Sequence, residues 1–197
     1  MVTPLPFDEE RFSRWMAYCL RHNPTRYGLE PDKHGFVDLG QFLLVATRRS
    51  PDLTEERLRQ LVEGPLSQRF EIVGALLRAR YGHSIQVEPV GKPVEPPEQL
   101  YHGTESGRMS RIFSEGLKPM DRKMLHLSDT IDDALAVTRR KTDRPIVFRI
   151  LAKQAHAKGI AFYHEAKVYL AREIPPEFLA LESLPESSSS STGPQVQ

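Results

Sequence analysis

The chain has 197 residues, 39% of them hydrophobic and 27% charged, and its formal net charge is +1. This composition is typical of a globular protein with one domain or two small ones. It excludes a broadly basic nucleic-acid-binding surface, since residues 1–88 contain as many acidic as basic side chains. An RNA partner would therefore be held by a few individually positioned cations.

Three helices are predicted in the N-terminal part of the chain. Helical spacing gives the first helix one apolar face, formed by Phe12, Trp15, Met16, Cys19 and Leu20. Pro24 is expected to end that helix. A second helix is predicted to begin at Asp38, and a third has Thr54 as its N-cap and Gly64 at its end.

A β-hairpin is predicted to follow the third helix. Residues 69–73 alternate like a strand, Gly74 permits a turn, and residues 84–87 alternate again. Three helices followed by a hairpin favour a winged-helix arrangement. Residues 87–98 then contain four prolines and one glycine, a composition typical of a linker.

Mixed helices and strands are predicted after this linker. The segment 100–101 is interpreted as the end of a strand, a short helix is expected from Met109 to Gly116, and another helix from Asp129. Further strands are predicted over residues 145–151, 161–163 and 168–170. This pattern favours a compact antiparallel sheet with small helices, so the fold class is α+β.

The proposed division is therefore an N-terminal lobe (residues 1–86), a linker (87–98) and a C-terminal lobe (99–184). Residues 185–197 are rich in serine and have no apolar periodicity. Such a segment cannot bury enough apolar surface to fold, so a disordered tail is predicted there.

Two motifs of the N-terminal lobe carry cationic and imidazole side chains. Arg21 and His22 end the first helix, where they are either a cationic cap that complements the helix dipole or an anion site. Residues 77–84 contain a second group that is either solvated surface or a contact for phosphate and bases. Together with the strand residue Arg69, the candidate RNA contacts are Arg69, Arg80, Tyr81 and His83.

Three further segments carry polar groups in the C-terminal lobe. Residues 102–104 (His-Gly-Thr) follow the predicted strand, where Gly103 either makes a turn or allows a ligand to approach the backbone. Residues 126–128 (His-Leu-Ser) are expected to open a helix, with Ser128 as N-cap and ligand. Residues 139–141 form a basic run before the next strand, and such runs are most often solvated.

Several classes of site are absent from the sequence. Cys19 is the single cysteine, which excludes an intrachain disulfide and a cysteine-based zinc cluster and fits a reducing compartment. The N-terminus lacks the features of a secretory signal, and no apolar run approaches the roughly 20 residues that span a bilayer. We therefore expect a cytoplasmic protein with no membrane association and no metal.

Read in order, the motifs LRHNP, QRFEI, LRARYGHS, LYHGT, HLS, RPIVFRI and VYL resemble those of the NAD-dependent RNA 2′-phosphotransferases of the KptA type. The similarity covers residues 10–180. It implies a winged-helix lobe that binds RNA and a C-terminal lobe that is similar to ADP-ribosyltransferases and binds NAD⁺. It also implies RNA with an internal 2′-phosphate as substrate, with tRNA as one candidate. We expect a monomer.

The resemblance assigns roles residue by residue. The catalytic tetrad falls on Arg21, His22, Arg78 and Arg140. Arg139 is an alternative to Arg140, because both glycines of the family's Gly-x-Arg-x-Gly pattern are missing here. The NAD⁺ site falls on His102, Gly103, Thr104, His126, Leu127 and Ser128.

The implied chemistry has two steps. The RNA 2′-phosphate displaces nicotinamide from NAD⁺, and the neighbouring ribose hydroxyl then takes the phosphate, which releases RNA with a free 2′-hydroxyl and a cyclic phosphate of ADP-ribose. A phosphate monoester is largely dianionic at neutral pH, so the first step needs no strong protein base. Two alternatives stay open: an ADP-ribosyltransferase that stops after the first step, and a non-catalytic RNA-binding protein.

Overall fold

The computed structural model describes residues 7–182, so the tail predicted at 185–197 lies outside the described residues. The helices are α1 (Glu9–Arg21), α2 (Leu39–Thr47), α3 (Glu55–Glu63), α4 (Met109–Glu115), α5 (Ile131–Thr138) and α6 (Ala152–Ala157). The strands are β1 (Val37–Asp38), β2 (Phe70–Val73), β3 (Leu76–Ala79), β4 (Leu100–Glu105), β5 (Leu125–Leu127), β6 (Pro145–Ile150), β7 (Tyr163–Glu165), β8 (Val168–Ala171) and β9 (Leu179–Leu181). This mixed content confirms the α+β class.

Helices α1, α2 and α3 share one hydrophobic core with a three-stranded antiparallel sheet in the order β1-β3-β2. The predicted apolar face of α1 is confirmed, because Met16 and Cys19 are fully buried and Leu20 nearly so. Thr54 caps α3 by accepting a hydrogen bond from the Arg57 backbone N–H, and Gly64 is the C-cap that follows the helix, both as predicted. Asp38 caps α2 in the same way.

The predicted hairpin is correct in its first strand and wrong in its second. β2 pairs with β3, with Phe70 opposite Ala79, whereas the predicted second strand at 84–87 is not a strand. Instead the Ser84 backbone N–H donates to the Arg21 carbonyl oxygen at 3.0 Å. The segment therefore lies across the end of α1, where its backbone is satisfied outside a sheet.

The C-terminal lobe contains two three-stranded antiparallel sheets and not the single sheet predicted. Their orders are β4-β6-β9 and β5-β8-β7. They are joined by a pair of backbone hydrogen bonds between Tyr101 and Ser128, at 2.9 and 2.8 Å. Most of the buried core residues of this lobe pack in one hydrophobic cluster that draws on strands of both sheets.

Element boundaries in this lobe differ from the predictions at three places. Residues 102–104 lie inside β4 and do not follow it, and β7 begins at Tyr163, not at residue 161. Helix α5 is capped by Thr130, which accepts from the Asp133 backbone N–H. Ser128 is therefore not the N-cap. Its backbone instead forms the hydrogen bonds with Tyr101 that join the two sheets, before the helix begins.

Residues 87–98 form two backbone hydrogen bonds with the C-terminal lobe, and in one of them the Glu98 carbonyl oxygen accepts from the Lys153 N–H at 3.5 Å. The Val94 N–H donates to the Phe162 carbonyl oxygen at 2.7 Å. No helix within residues 7–182 combines the length and the apolar character needed to cross a bilayer.

Candidate active site

Arg21 occupies the last position of α1 and is 8% exposed. Its guanidinium lies 5.1 Å from the centre of the Tyr81 ring. A Cβ on Gly82 would lie 3.2 Å from Arg21 Nη1, so the small residue lets the loop close over the cation. Arg21 Nε and Nη2 are buried and have no hydrogen-bond partner among residues 7–182.

Burial is the main cause that lowers the pKa of Arg21, to about 10. The positive charge of Arg69 lowers this pKa further, Tyr81 raises it, and Arg122 lowers it again. Buried donors without partners are costly, because the lost hydration is not replaced. An anion placed against Nε and Nη2 would supply the missing acceptor and the missing charge.

His22 follows Arg21 and points its Nδ1 at the Ser84 hydroxyl, 2.9 Å away. The Ser84 hydroxyl in turn lies 3.5 Å from the Arg21 carbonyl oxygen, to which it can donate. This chain makes Nδ1–H the donor to Ser84 and leaves the lone pair on Nε2. Burial, followed by the charges of Arg21 and Arg122, lowers the pKa of His22, so the ring is neutral near pH 7 and able to accept a proton.

Two histidines of the C-terminal lobe are fixed in opposite tautomers. His102 Nδ1 donates to the His126 carbonyl oxygen at 3.0 Å, which leaves an acceptor on its Nε2. Arg122 Nη1 donates to His126 Nδ1 at 3.2 Å, which leaves a donor on His126 Nε2. That Nε2 is buried and has no partner within residues 7–182.

The imidazoles are held neutral by burial among cations. Burial first and Arg122 second lower the pKa of His126 to about 3. His83 is 5% exposed, and burial followed by the charge of Arg21 lowers its pKa to about 4. The pKa of His102 is lowered chiefly by burial. Neutral imidazoles offer directed hydrogen bonds without adding charge.

The two lobes meet at these groups. The Tyr81 ring lies 5.6 Å from the His126 ring, and the Lys123 N–H donates to the His83 carbonyl oxygen at 3.0 Å. We call the assembled group the junction site; it consists of Arg21, His22, His83, His102, Arg122 and His126. The sequence placed five of these six residues in a candidate site, and the structure brings those five together.

Arg78 and Arg80 have a different environment, which we call the ion network; it consists of Glu71, Arg78, Arg80 and Glu165. Arg78 Nη2 lies 2.8 and 3.0 Å from the two carboxylate oxygens of Glu165, and its Nε donates to Glu71. Arg80 Nη1 lies 3.1 Å from a Glu71 oxygen. The charge of Arg78 is therefore compensated by protein carboxylates.

The remaining candidates have structural contacts of their own. Arg69 donates to the Ser13 hydroxyl at 2.6 Å, and Thr104 is paired with Ile146 in the β4–β6 ladder. A Cβ on Gly103 would lie 2.0 Å from the Thr138 hydroxyl oxygen, so this glycine is required by the packing of α5. Leu127 is fully buried in the core of the lobe.

The basic run after α5 is exposed at all three positions, Arg139, Arg140 and Lys141. Of the three, Lys141 is the one whose charge lowers the pKa of His102. Its own pKa is lowered by partial burial and by Arg122 and Arg108. Neither Arg139 nor Arg140 contacts a residue of the junction site or the ion network by a side-chain hydrogen bond or salt bridge within the described chain.

Sequence reasoning missed Arg122, Glu71 and Glu165. Arg122 lies four residues before His126 in the printed sequence, so this proximity was a usable signal. Glu165 lies 87 positions from Arg78 along the chain, and its place in the alternating strand β7 resembles that of any solvent-facing carboxylate. Only the folded chain shows that it is 5% exposed.

The junction site is thus a set of cations and neutral imidazoles with unpartnered donors. Such a set suits the binding of phosphate and the stabilisation of charge on a transferring phosphoryl group. The described residues contain no group of three or more His, Cys, Asp or Glu side chains arranged to hold a metal ion.

Comparison with known proteins agrees with this chemistry. Residues 8–173 match the model of the family described as RNA 2′-phosphotransferase, Tpt1/KptA family. A protein of Acetivibrio thermocellus named "Probable RNA 2′-phosphotransferase" is 37% identical over 178 residues, which cover 89% of this chain and 98% of that protein. A protein of Bacillus thuringiensis subsp. konkukian with the same name is 40% identical, covering 86% and 93%. The chain belongs to the RNA 2′-phosphotransferase family of the Tpt1/KptA type.

Proposed function

We propose that this phosphotransferase is NAD⁺-dependent and removes an internal 2′-phosphate from RNA. The products are RNA with a free 2′-hydroxyl, nicotinamide and ADP-ribose 1″,2″-cyclic phosphate. In this proposal the N-terminal lobe is a winged helix that binds RNA, and the C-terminal lobe is similar to ADP-ribosyltransferases. The enzyme is cytoplasmic and monomeric, and tRNA is one candidate substrate. The observation that supports it best is the buried guanidinium of Arg21 with two unpartnered nitrogens.

The RNA 2′-phosphate would bind at Arg21. A guanidinium presents a planar fork of donors that matches two phosphate oxygens. Because no carboxylate hydrogen-bonds to Arg21 within the described residues, the phosphate would not compete with a protein acid. His126 Nε2 would donate to the same anion from the C-terminal lobe, since it is buried and unpartnered.

The C-terminal lobe offers groups that fit a dinucleotide. The free Nε2 of His102 is an acceptor suited to a ribose hydroxyl, because its Nδ1 is already committed to the His126 carbonyl oxygen. Arg122 and Lys141 would hold the diphosphate by charge. When bound, NAD⁺ supplies the electrophilic ribose carbon and the nicotinamide leaving group.

His22 would move the proton that phosphoryl transfer requires. Its Nε2 lone pair is held outward by the hydrogen bond of Nδ1 to Ser84. A ring with a pKa below its usual value is unprotonated at neutral pH and can take a proton from an attacking hydroxyl. The always-charged Arg21 would stabilise the transferring phosphoryl group.

The fourth residue of the catalytic tetrad would come from the basic run, at Arg140 or Arg139. Loss of one preorganised donor to a transferring phosphoryl group slows turnover by about 10²–10³-fold. We therefore expect this loss from Arg140→Ala or from Arg139→Ala, but not from both. Normal turnover by both variants would show that neither arginine serves the reaction.

Product analysis tests the proposal as a whole. The chain is incubated with NAD⁺ and an RNA that carries one internal 2′-phosphate, and the products are separated by chromatography. We expect nicotinamide, dephosphorylated RNA and a cyclic phosphate of ADP-ribose. A stable ADP-ribosyl adduct would instead favour an ADP-ribosyltransferase, and failure to release nicotinamide would contradict NAD⁺ dependence.

A further inference from the structure

We propose that a groove beside α1 and α2, away from the junction site, binds single-stranded RNA that flanks the 2′-phosphorylated nucleotide. This inference rests on the proposed function and adds a second contact surface for the same substrate. The groove has a volume of about 900 Å³. It is lined by Trp15, Arg26, Tyr27, Gly28, Gln41, Leu44, Val45, Arg48 and Arg49.

The charge of this groove is one-sided. Three of its nine lining residues are arginines and none is acidic, although residues 1–88 as a whole contain equal numbers of acids and bases. Within the described chain, none of the three arginines forms a salt bridge. Cations without protein counter-ions around one concave surface fit a polyanionic strand.

Aromatic groups in the groove suit unpaired bases. The Arg49 guanidinium lies 5.5 Å from the centre of the Trp15 ring, and the Tyr27 ring meets Trp15 edge-on at 6.0 Å. At the edge of the groove the Leu44 side chain is 67% exposed. Proteins bind single strands by combining a basic track with planar groups on which bases stack, and this binding tolerates any sequence.

One face of α1 connects the groove to the junction site. Tyr18 lies three residues after Trp15, and His22 lies seven residues after it, so the three side chains share that face. Tyr18 is 39% exposed, and its ring lies 6.2 Å from the His22 ring. Seven residues of helix rise about 10 Å, which corresponds to roughly three stacked nucleotides of a single strand.

The geometry therefore predicts a dependence on substrate length. A 2′-phosphorylated dinucleotide reaches the junction site but not Arg48, whereas an RNA of about ten nucleotides reaches both. Longer RNA should show the lower KM. Substituting two cations removes two phosphate contacts, which lowers the slope of log affinity against log salt by about 1.4. The ratio of wild-type to variant affinity should therefore change about sevenfold between 50 and 200 mM salt.

The test uses the single tryptophan as a reporter, since Trp15 is the one tryptophan of the chain. Unphosphorylated single-stranded RNA of about ten nucleotides should quench its fluorescence in a saturable way that weakens with salt, and a dinucleotide should not. The double variant Arg26→Ser/Arg48→Ser should lose most of this quenching, and its loss of KM advantage for long substrate should be about sevenfold greater at 50 mM than at 200 mM salt. Its turnover of the dinucleotide should be unchanged.

The control variant is Arg111→Ser/Lys158→Ser, which removes the same charge from exposed positions of the C-terminal lobe. It should behave like the wild type. The quenching experiment needs no turnover, so it remains decisive if the proposed reaction fails. Equal KM values for long and short substrates, quenching that survives in the double variant, or quenching by an acidic peptide but not by RNA would overturn the proposal.

Discussion

Two buried arginines of the N-terminal lobe lie in opposite electrostatic environments. Arg78 is 3% exposed and bonded to two carboxylates, one from its own lobe and one from the other. Arg21 is 8% exposed and has two nitrogens without partners. The resemblance assigns both residues to the same catalytic tetrad.

The comparison shows that a buried cation can have either of two roles. A guanidinium satisfied by protein carboxylates holds the fold together, and its removal leaves buried acids unpaired. A guanidinium without partners costs folding free energy and is retained for an anion that arrives from outside. By this criterion we expect Arg21 to be the phosphate ligand, whereas Arg78 fixes β3 of one lobe against β7 of the other.

The largest expected effect follows from removing Arg78. Arg78→Ala should lower the free energy of unfolding by about 3–5 kcal/mol, because the buried Glu165 would lose the guanidinium that contacts both of its carboxylate oxygens. Urea denaturation measures this. Arg14→Ala is the control, since Arg14 forms an exposed pair with Glu10 and should cost at most about 1 kcal/mol.

A partner substitution sharpens this prediction. In Arg78→Met/Glu165→Leu the buried pair is replaced by apolar groups, which should recover much of the lost stability. If Arg78→Ala instead kept full stability and lost only turnover, Arg78 would be a direct ligand of the substrate and the contrast with Arg21 would be wrong.

Arg21 should show the reverse behaviour. Arg21→Met keeps an apolar stem beside Tyr81 and removes the unpartnered charge. We expect turnover to fall by about 10²–10³-fold, while the free energy of unfolding stays equal or rises by about 1 kcal/mol. Turnover with 2′-phosphorylated RNA and urea denaturation are measured on the same preparation. A clear loss of stability would mean that Arg21 has a protein partner.

The buried histidines make stability depend on pH. His83 and His126 have pKa values lowered to about 4 and about 3 in the folded state, from an ordinary 6.5. The unfolded chain therefore binds more protons below pH 6.5, and stability that is present above that pH is lost as pH falls. Each histidine should contribute a loss of about 2 kcal/mol between pH 6.5 and 5.

Urea denaturation between pH 7 and 5 measures this slope. His83→Gln should remove the contribution of one histidine, about 2 kcal/mol between pH 6.5 and 5. The control is His164→Gln, at an exposed position of β7, which should leave the slope as in the wild type. An unchanged slope in His83→Gln would show that the ring is hydrated in solution.

The helices of the N-terminal lobe could be predicted because their signals are local. The apolar face of α1 and the Thr54 cap lie within a few residues of one another, so no tertiary information is needed. Strand β3 could not be predicted in the same way. Its sequence, Leu-Leu-Arg-Ala, has no alternation and consists of good helix formers, and it becomes a strand because β1 and β2 flank it on both sides.

The candidate site was likewise predictable only where its signals are local in the sequence. Arg21, His22 and the other three histidines of the junction site could be predicted, because each lies in a short motif that the sequence shows directly. The tautomers of His102 and His126 depend on contacts with a backbone carbonyl and with Arg122, and these required the fold. The partnership of Arg78 with Glu165 depended on docking of the two lobes, which no local pattern reports.

The smallest expected effect concerns the turn that presents Glu165 to Arg78. Strands β7 and β8 are joined by a tight turn in which Glu165 pairs with Val168, and Ala166 adopts a φ of 55°. This left-handed conformation is strained for alanine and free for glycine. Ala166→Gly should therefore raise the free energy of unfolding by about 1 kcal/mol, as measured by urea denaturation, and leave turnover unchanged.

The matched control is Ala157→Gly at the end of α6, where glycine should cost about 0.5–1 kcal/mol. If Ala166→Gly were destabilising to the same degree, the turn would not be strained, and the position of Glu165 would be set by its ion pair with Arg78 alone.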